Sequence, residues 1–442
     1  MYLRALFYWK RNLIMMTPKH NRIMDHGLAG IQHVFVSNVW LDPIYVAAAA
    51  GLSLNLSTNL VNTIFIVSGL VTLTQATKLA KLPIVQGPSA AFDALMINAG
   101  KAGQLATASG SILLSALIVF LLSVTGLINK LIKLLTPAIT GTLIFLVGIS
   151  LSGFTLSEFL GGYPGDKGFS SPTTLILSIT TATIVILLSI FGKGFWKRFS
   201  FLIALIVGDI LAVSLGVVDY SVLSTKSWFG MPHLLPYGSL KFNWVMFLTF
   251  FVAYVVAVVE ALGVYQAAGD TLKENISPRR IQNGLIGESA GSMFSSLFGG
   301  FPTTAFAQNV GILNLTGNVS RIPVIIAGIL FVVLGFVPKI GAFLAITPSP
   351  VIGGIFLPAA TTLILTGFNI LKRAPDNNEN NMIIGLSIIL AIALPNYATG
   401  WSGVTGELLS NSILVGALSA IILQFALVNL PRMIKNIRGS HD

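Results

Sequence analysis

Gly87-Pro88-Ser89-Ala90-Ala91-Phe92 and Phe301-Pro302-Thr303-Thr304-Ala305-Phe306 each place a proline inside an apolar stretch of a 442-residue chain. Proline removes a backbone donor and biases the residue before it toward extended geometry. Gly87-Pro88 and Phe301-Pro302 therefore read as short extended breaks, each leading into a half-helix that starts among small residues. The two strings follow one pattern, with Pro302 lying 214 residues after Pro88 (302 − 88). A second pair keeps nearly that spacing: Pro137-Ala138-Ile139-Thr140-Gly141 recurs 213 residues on (350 − 137) as Pro350-Val351-Ile352-Gly353-Gly354. One such match arises easily by chance, but two at almost one offset indicate an internal duplication.

Around these breaks, apolar runs bounded by Gly, Pro and basic residues give fourteen membrane elements. The first half holds 27–49, 55–77, 84–100, 105–127, 134–155, 171–191 and 197–218; the second holds 244–268, 280–300, 302–317, 321–344, 347–367, 379–399 and 411–430. Residues 1–26 read as a cytoplasmic lead-in, 27–218 and 219–430 as two seven-span repeats, and 431–442 as a cytoplasmic tail. Seven elements separate the copies, and an odd number reverses direction through a membrane. Inverted repeats of this kind occur in many secondary transporters. The expected fold is thus an all-α membrane protein of two inverted seven-span repeats, with extended breaks in elements 3 and 10.

Composition agrees. Hydrophobic residues make up 54% of the chain and charged residues 9%, with a mean hydropathy of +0.84, whereas soluble domains carry about 25% charged residues. A soluble fold this poor in charge could not cover its surface; a bilayer needs no such cover. At roughly 20 residues per span, the length leaves no room for a sizeable soluble domain. The absence of cysteine excludes disulfides, thiolate catalysis and Cys-based metal sites. With a cytoplasmic N-terminus, 21 of the 26 Lys and Arg residues fall on the cytoplasmic side; the other side keeps Lys101, Lys167, Lys226, Lys241 and Lys339. This positive-inside bias accounts for the net charge of +11 without a nucleic-acid partner. Residues 1–25, with Arg4, Lys10, Arg11, Lys19 and Arg22 scattered among apolar positions, lack the layout of a signal peptide.

Unpaired backbone at membrane depth is tolerated only inside protein or along a cavity. The freed N–H groups at the two half-helix starts can bind a polar or anionic substrate; the plainer alternative for each proline is an ordinary kink. Charged groups at this depth are costly and usually functional, which singles out Asp42, Asp93, Asp209, Glu260 and Glu288. Glu260 follows Val255-Val256-Ala257-Val258-Val259 and is either a proton carrier or substrate anchor, or a carboxyl satisfied by a neighbouring helix. Asp93 either faces the site or caps the half-helix. Glu288, beside Ser289-Ala290-Gly291-Ser292, is either a packing or interfacial group or a functional one, and Asp209 either pairs with a polar helix neighbour or is functional. Asp42-Pro43 reads as a structural pair, either where the first span bends or where it nears an interface. His33 is by default a core histidine held by hydrogen bonds, with tuning of the coupling carboxylate as its functional alternative. Five scattered histidines form no metal constellation.

Directly after the second break comes Gln308-Asn309-Val310-Gly311-Ile312-Leu313-Asn314-Leu315-Thr316-Gly317. It resembles the signature of the nucleobase–ascorbate transporter family, Gln/Glu/Pro-Asn-x-Gly-x4-Thr-Arg/Lys/Gly. Gly30-Ile31-Gln32-His33, Thr136-Pro137-Ala138-Ile139-Thr140-Gly141-Thr142 and Pro348-Ser349-Pro350 extend the resemblance over nearly the whole chain. Glu260 falls where that family has its eighth-span glutamate. The resemblance implies a core domain of spans 1–4 and 8–11 and a gate domain of spans 5–7 and 12–14. It further implies uptake of a nucleobase coupled to a proton, less often to sodium, without another cofactor. The setting it implies is a bacterial inner membrane, with both termini cytoplasmic and a homodimer formed through the gate domains. Glu260 and Gln308 would hydrogen-bond the base, while Ala90, Ala91, Phe92 and Ala307 supply backbone or ring contacts. His33 would support the glutamate, Asn309 and Thr316 orient the motif, and Asp93 and Glu288 are candidates for coupling. A flat ring with alternating donors and acceptors suits reading by a carboxylate and an amide, and an aromatic face such as Phe92 suits stacking.

Gln308 at the first motif position favours an oxidised purine such as xanthine or uric acid, since uracil transporters of the family usually carry Glu there. The chain departs from the family pattern at Asn283, where an acid is common, and at Val39-Trp40-Leu41-Asp42-Pro43, where small residues are usual. A competing reading is an anion exchanger of the related sulfate-transporter type, which usually adds a C-terminal regulatory domain where this chain has residues 431–442. A membrane enzyme lacks support, because no nucleophile–base pair, metal cluster or phosphate loop is visible.

Overall fold

The computed structural model describes residues 19–316, 318–398, 401 and 403–438. Most of the expected lead-in, the motif's Gly317 and the end of the tail lie outside the described residues. The first half comprises α1 Lys19–Ser37, α2 Leu41–Ala49, α3 Leu54–Thr77, β1 Gln86–Pro88, α4 Asp93–Lys101 and α5 Leu105–Val124. There follow α6 Ile128–Leu134, α7 Pro137–Leu160, α8 Pro172–Phe191, α9 Phe195–Arg198 and α10 Ser200–Ser214. The second half comprises α11 Trp244–Leu272, α12 Pro278–Leu297, β2 Thr303–Ala305, α13 Ala307–Thr316, α14 Ile322–Gly335 and α15 Pro338–Ala345. It ends with α16 Ser349–Leu371, α17 Asn378–Ala398, α18 Gly403–Leu409, α19 Ser412–Gln424 and α20 Leu430–Arg438.

Local chemistry sets many of the helix starts. Thr136-Pro137, Ser171-Pro172 and Ser277-Pro278 each pair a capping hydroxyl with a proline at the first helical position. The hydroxyl accepts an orphan N–H, and the proline occupies a place that needs no donor. Asn243 and Asn411 cap α11 and α19 in the same way, accepting from Met246 N at 2.9 Å and Leu414 N at 3.0 Å. Exposed side chains on α8 and α10 include Ile176, Ile179, Ile186, Ile190, Ile206 and Ile210. Such a face has no polar cover and suits lipid.

Among the described residues, eight helices are long and apolar enough to cross a membrane, or nine if α14 and α15 form one span. The expected fourteen elements are therefore not fourteen full-length helices, because several are broken into pieces shorter than a bilayer. The expected span 27–49 is split at Asn38, whose φ of 55° ends α1 before α2 begins. The break precedes Asp42-Pro43, so this pair sits in the first turn of α2 rather than at the bend itself. The expected span 321–344 is bent by 84° between α14 and α15, where Val337 precedes Pro338 and is biased away from helix. The expected span 411–430 passes through a π-turn at Phe425–Asn429 and continues into α20.

At the centre, β1 and β2 pair antiparallel, with Gln86 opposite Ala305, Gly87 opposite Thr304 and Pro88 opposite Thr303. Ser89 N donates to Pro302 O at 2.8 Å and Phe306 N to Val85 O at 3.0 Å, extending the crossing by one bond at each end. Helix hydroxyls accept two of the strand N–H groups, and a strand hydroxyl ties β2 to α11. Gln86 N donates to Thr72 Oγ1 at 2.9 Å, Thr303 N to Ser292 Oγ at 3.1 Å, and Thr304 Oγ1 to Ala257 O at 3.2 Å. Extended backbone at this depth needs such partners. Gly87 has to be glycine, because a Cβ there would strike the Phe306 ring. Outside the crossing, α3 lies along α14 and α7 along α16. Gly69 of α3 faces Gly328 of α14 so closely that a Cβ on Gly69 would sit 2.6 Å from Gly328 O. Small residues drive this kind of close approach between membrane helices.

Candidate substrate-binding site

Each half of the crossing delivers a half-helix start to the same region. After β1, Ala90–Phe92 form a 3-10 turn that runs into α4; after β2, α13 begins at Ala307. Between them stands Glu260 on the 29-residue α11, which packs against β2, α13 and the 3-10 turn. Ser89 Oγ donates to Glu260 Oε2 at 3.0 Å. This bond joins residues 171 positions apart and fixes the carboxylate over the first break.

The sequence candidates divide by accessibility. Glu260 and Ala90 are partly exposed, and Ala307 and Gln308 are exposed, although all lie on central elements. One turn beyond Glu260, Gly263 has open space where a Cβ would point, as does Gly311 one turn beyond Gln308. Along α11 the exposed residues continue as Gly263, Gln266, Ala267 and Asp270. These lie on one helical face with Glu260, and a lipid-facing stripe would not be built of such residues. The site therefore opens along α11 toward the basic loop that carries Lys273, Arg279 and Arg280. In the opposite direction it is closed. Tyr45 of α2 stacks on Phe356 of α16 with centroids 3.6 Å apart, and its hydroxyl meets Thr155 Oγ1 of α7 at 3.0 Å. Between α7 and α11 an apolar cleft is lined by Leu135, Thr140, Leu143, Ile144, Val255, Val256 and Val259. A larger cavity of about 420 Å³ lies elsewhere, between the starts of α7 and α17 and the C-terminal helices, and includes no residue of the crossing.

Several candidates sit differently from expectation. Phe92 is fully buried, its ring packed against Phe250 (6.0 Å) and Tyr254 (5.9 Å), and Ala91 is buried beside it. Neither offers a face to the opening, because the 3-10 turn rotates both inward. His33, expected beside Glu260, is held by Asn309 instead: Asn309 Nδ2 lies 2.9 Å from His33 Nδ1 and donates to His33 O at 3.3 Å. The motif asparagine thus ties α13 to α1. The side chain of Thr316 lies outside the described residues. Glu288 belongs to a separate buried network in which it accepts from Tyr265 Oη at 2.5 Å, while Gln75 Nε2 reaches Gly284 O at 2.6 Å and Tyr265 Oη at 3.4 Å. Asp209 accepts from Thr347 Oγ1 at 3.2 Å through one carboxylate oxygen, while its other oxygen has no hydrogen-bond partner. Asp93 opens α4 at 0% exposure and makes no capping bond; both carboxylate oxygens are without a hydrogen-bond partner. Sequence reasoning missed Ser89, although it stands inside the quoted motif, and missed Tyr265, Gln75 and Tyr45, for which no local signal exists.

The Permease family profile (Xan_ur_permease) matches residues 25–400. The uric acid permease PucK of Bacillus subtilis is 31% identical over 418 residues, covering 92% of this chain and 96% of that protein. The xanthine permease of the same organism is 30% identical over 404 residues, covering 89% and 92%. Among solved structures, the transmembrane domain of the cyanobacterial bicarbonate transporter BicA superposes with a TM-score of 0.61 at 17% identity, covering 89% of this chain and 96% of that one. At that identity the likeness concerns the fold alone.

Proposed function

Because this chain belongs to the Xan_ur_permease family of membrane permeases, we propose that it takes up a nucleobase, an oxidised purine of the xanthine or uric acid type, by secondary active transport. The observation that carries this reading is the pair of accessible polar side chains, Glu260 and Gln308, on facing elements at the mouth of the crossing. A carboxylate there accepts ring N–H groups, and an amide supplies both a donor and an acceptor. The exposed starts of the 3-10 turn and α13, at Ala90 and Ala307, add backbone N–H groups. Ser89 holds the carboxylate, and Asn309 with His33 holds the helix that presents Gln308. The names of PucK and of the xanthine permease support an oxidised purine, as does glutamine at position 308. Uracil is the second reading. The likeness to a bicarbonate transporter does not favour an anion exchanger, since it rests on fold.

In this reading the chain is two inverted seven-element repeats. A core of elements 1–4 and 8–11 carries the crossing, and a gate of elements 5–7 and 12–14 packs beside it. The pairings of α3 with α14 and α5 with α12 inside one group, and of α7 with α16 and α17 with α19 inside the other, support the division. The basic loops put both termini on the cytoplasmic side of an inner membrane. The conformation is then inward-open, closed outside by Tyr45, Phe356 and Thr155, and transport proceeds by rocking of core against gate. A proton, or a sodium ion in its place, is the coupling ion, and the gate groups meet in a homodimer. The test is uptake of labelled xanthine, uric acid and uracil into proteoliposomes, with and without a pH gradient. Movement of a purine driven by the gradient is expected; failure of all three to bind or move removes the proposal.

A further inference from the structure

Asp93 is an anomaly that the base site does not use. It is fully enclosed, and neither carboxylate oxygen has a hydrogen-bond partner. A buried, unpaired carboxylate is costly unless something offsets its charge. No lysine or arginine stands on α2, α5, α7 or α11. Lys101 lies at the far end of α4, its ammonium over the rings of Phe154 (4.9 Å) and Tyr163 (5.5 Å).

What lies near Asp93 is more negative charge. Asp93 is within electrostatic reach of Asp42 and Glu260, and Asp42 of Glu260. The geometry explains the first approach. α2 and α4 pack side by side, and a Cβ on Gly100 would meet Ala50 at 2.6 Å. Asp42 lies eight residues before Ala50 and Asp93 seven before Gly100. At 1.5 Å per residue both acids are therefore roughly 10–12 Å back from that contact, at one level on parallel helices. Both sit in first helical turns, where the helix field favours an anion. Tyr45 on α2 is within electrostatic reach of Asp93; Tyr254 and Glu158 stand on α11 and α7, and Lys339 on α15, which packs on α2, has its ammonium over the Trp228 ring at 4.5 Å.

We infer that Asp42 and Asp93 together hold the singly charged cation, a proton or a sodium ion, that travels with the nucleobase. Two carboxylates brought together share one cation readily, because they cannot both stay charged without it. Among the described residues no group of three or more His, Cys, Asp or Glu side chains gathers closely enough to hold a metal ion. A cation on the pair offsets the negative charge beside Glu260, so ion and base each favour the other's binding. Asp42 is also one turn from Tyr45, whose ring and hydroxyl close the outer side. Loading of the pair thereby reaches the contact between α2 and the helices α7 and α16.

The inference rests on the nucleobase-transport reading, and the experiment separates the two. Wild type, Asp93→Asn and Asp42→Asn are reconstituted, and three quantities are read: equilibrium binding of labelled xanthine, its counterflow exchange, and its accumulation under an imposed proton or sodium gradient. For the wild type, a tenfold gradient of the coupling ion supports up to about tenfold accumulation with one ion per base; whichever gradient does so identifies the ion. In both variants binding is expected within about threefold of wild type and exchange is retained, since asparagine mimics the neutralised acid, while accumulation falls to equality across the membrane. Wild-type accumulation in either variant overturns the inference. So does loss of binding in a variant that melts like wild type, which would place these acids in the base site. Should Asp93→Asn fail to fold, Asp42→Asn decides, its side chain being partly exposed. If the wild type itself binds none of xanthine, uric acid and uracil, it is the transport reading that fails, and sodium- or pH-dependent melting of wild type against Asp42→Asn then judges the cation site alone, with equal dependence overturning it.

Discussion

Replacing Glu260 by glutamine changes one property at the mouth of the crossing. The side chain keeps its length and an oxygen that can accept from Ser89 Oγ, now at 3.0 Å, but it loses its charge. Hydrogen bonds to a charged group contribute about 1.5–3 kcal/mol and neutral ones about 0.5–1.5 kcal/mol. For a ring N–H donating to this position the difference is about 1–1.5 kcal/mol, or roughly five- to tenfold in affinity. The half-exposed position and the retained Ser89 contact leave little reason for the fold to weaken, so the melting temperature should stay close to wild type. The assay is equilibrium binding of labelled xanthine to purified Glu260→Gln and wild type, with melting followed in parallel. An unchanged affinity would refute the assignment of Glu260 as a direct partner of the base. A loss of affinity with an equal loss of thermal stability would refute the reasoning differently, by making Glu260 a structural group.

Three further outcomes follow from the same geometry. Gly87→Ala drives a methyl into the Phe306 ring at the strand crossing; overpacking of this kind costs about 1–3 kcal/mol, to be seen as a lower melting temperature and weaker xanthine binding together. Tyr45→Phe keeps the stack on Phe356 but deletes the hydroxyl contact with Thr155, worth about 1 kcal/mol, and should raise hydrogen–deuterium exchange in 151–160. Gln308→Glu removes the amide donor and should weaken xanthine by about tenfold relative to uracil in competition binding; an unchanged ratio would remove Gln308 from substrate choice.

The two extended breaks were legible because a proline in an apolar run has few inexpensive places to go, and their shared offset marked them as one device. What was not legible was their pairing, since register between Gln86–Pro88 and Thr303–Ala305 is set by residues more than 200 positions apart. Asn38 carried a usable signal: asparagine is among the few non-glycine residues that take positive φ without large strain, and it ends α1 there. The 84° bend before Pro338 had a different signal, the bias of a residue preceding proline away from helix. Within the site, Glu260 and Gln308 stood out as polar groups in apolar or motif context, and both keep exposed surface on helices that touch. Phe92 and His33 were misread for one reason. Composition and motif place a residue on an element but do not say which way it faces, and a single 3-10 turn buries Phe92 while a single amide claims His33. The orphaned state of Asp93 could not be read at all, because it depends on what four other helices fail to offer.

The central claim is that a nucleobase lies at the mouth of the crossing, between α11 and α13. The chain contains no cysteine, so one introduced at Gly311, where a side chain meets open space, is its sole thiol. Its rate of reaction with a maleimide, measured in Gly311→Cys with and without saturating xanthine, is the most direct test. Labelling that xanthine slows strongly is expected, with uracil less effective at equal concentration; labelling at the same rate with and without bound xanthine would place the base elsewhere.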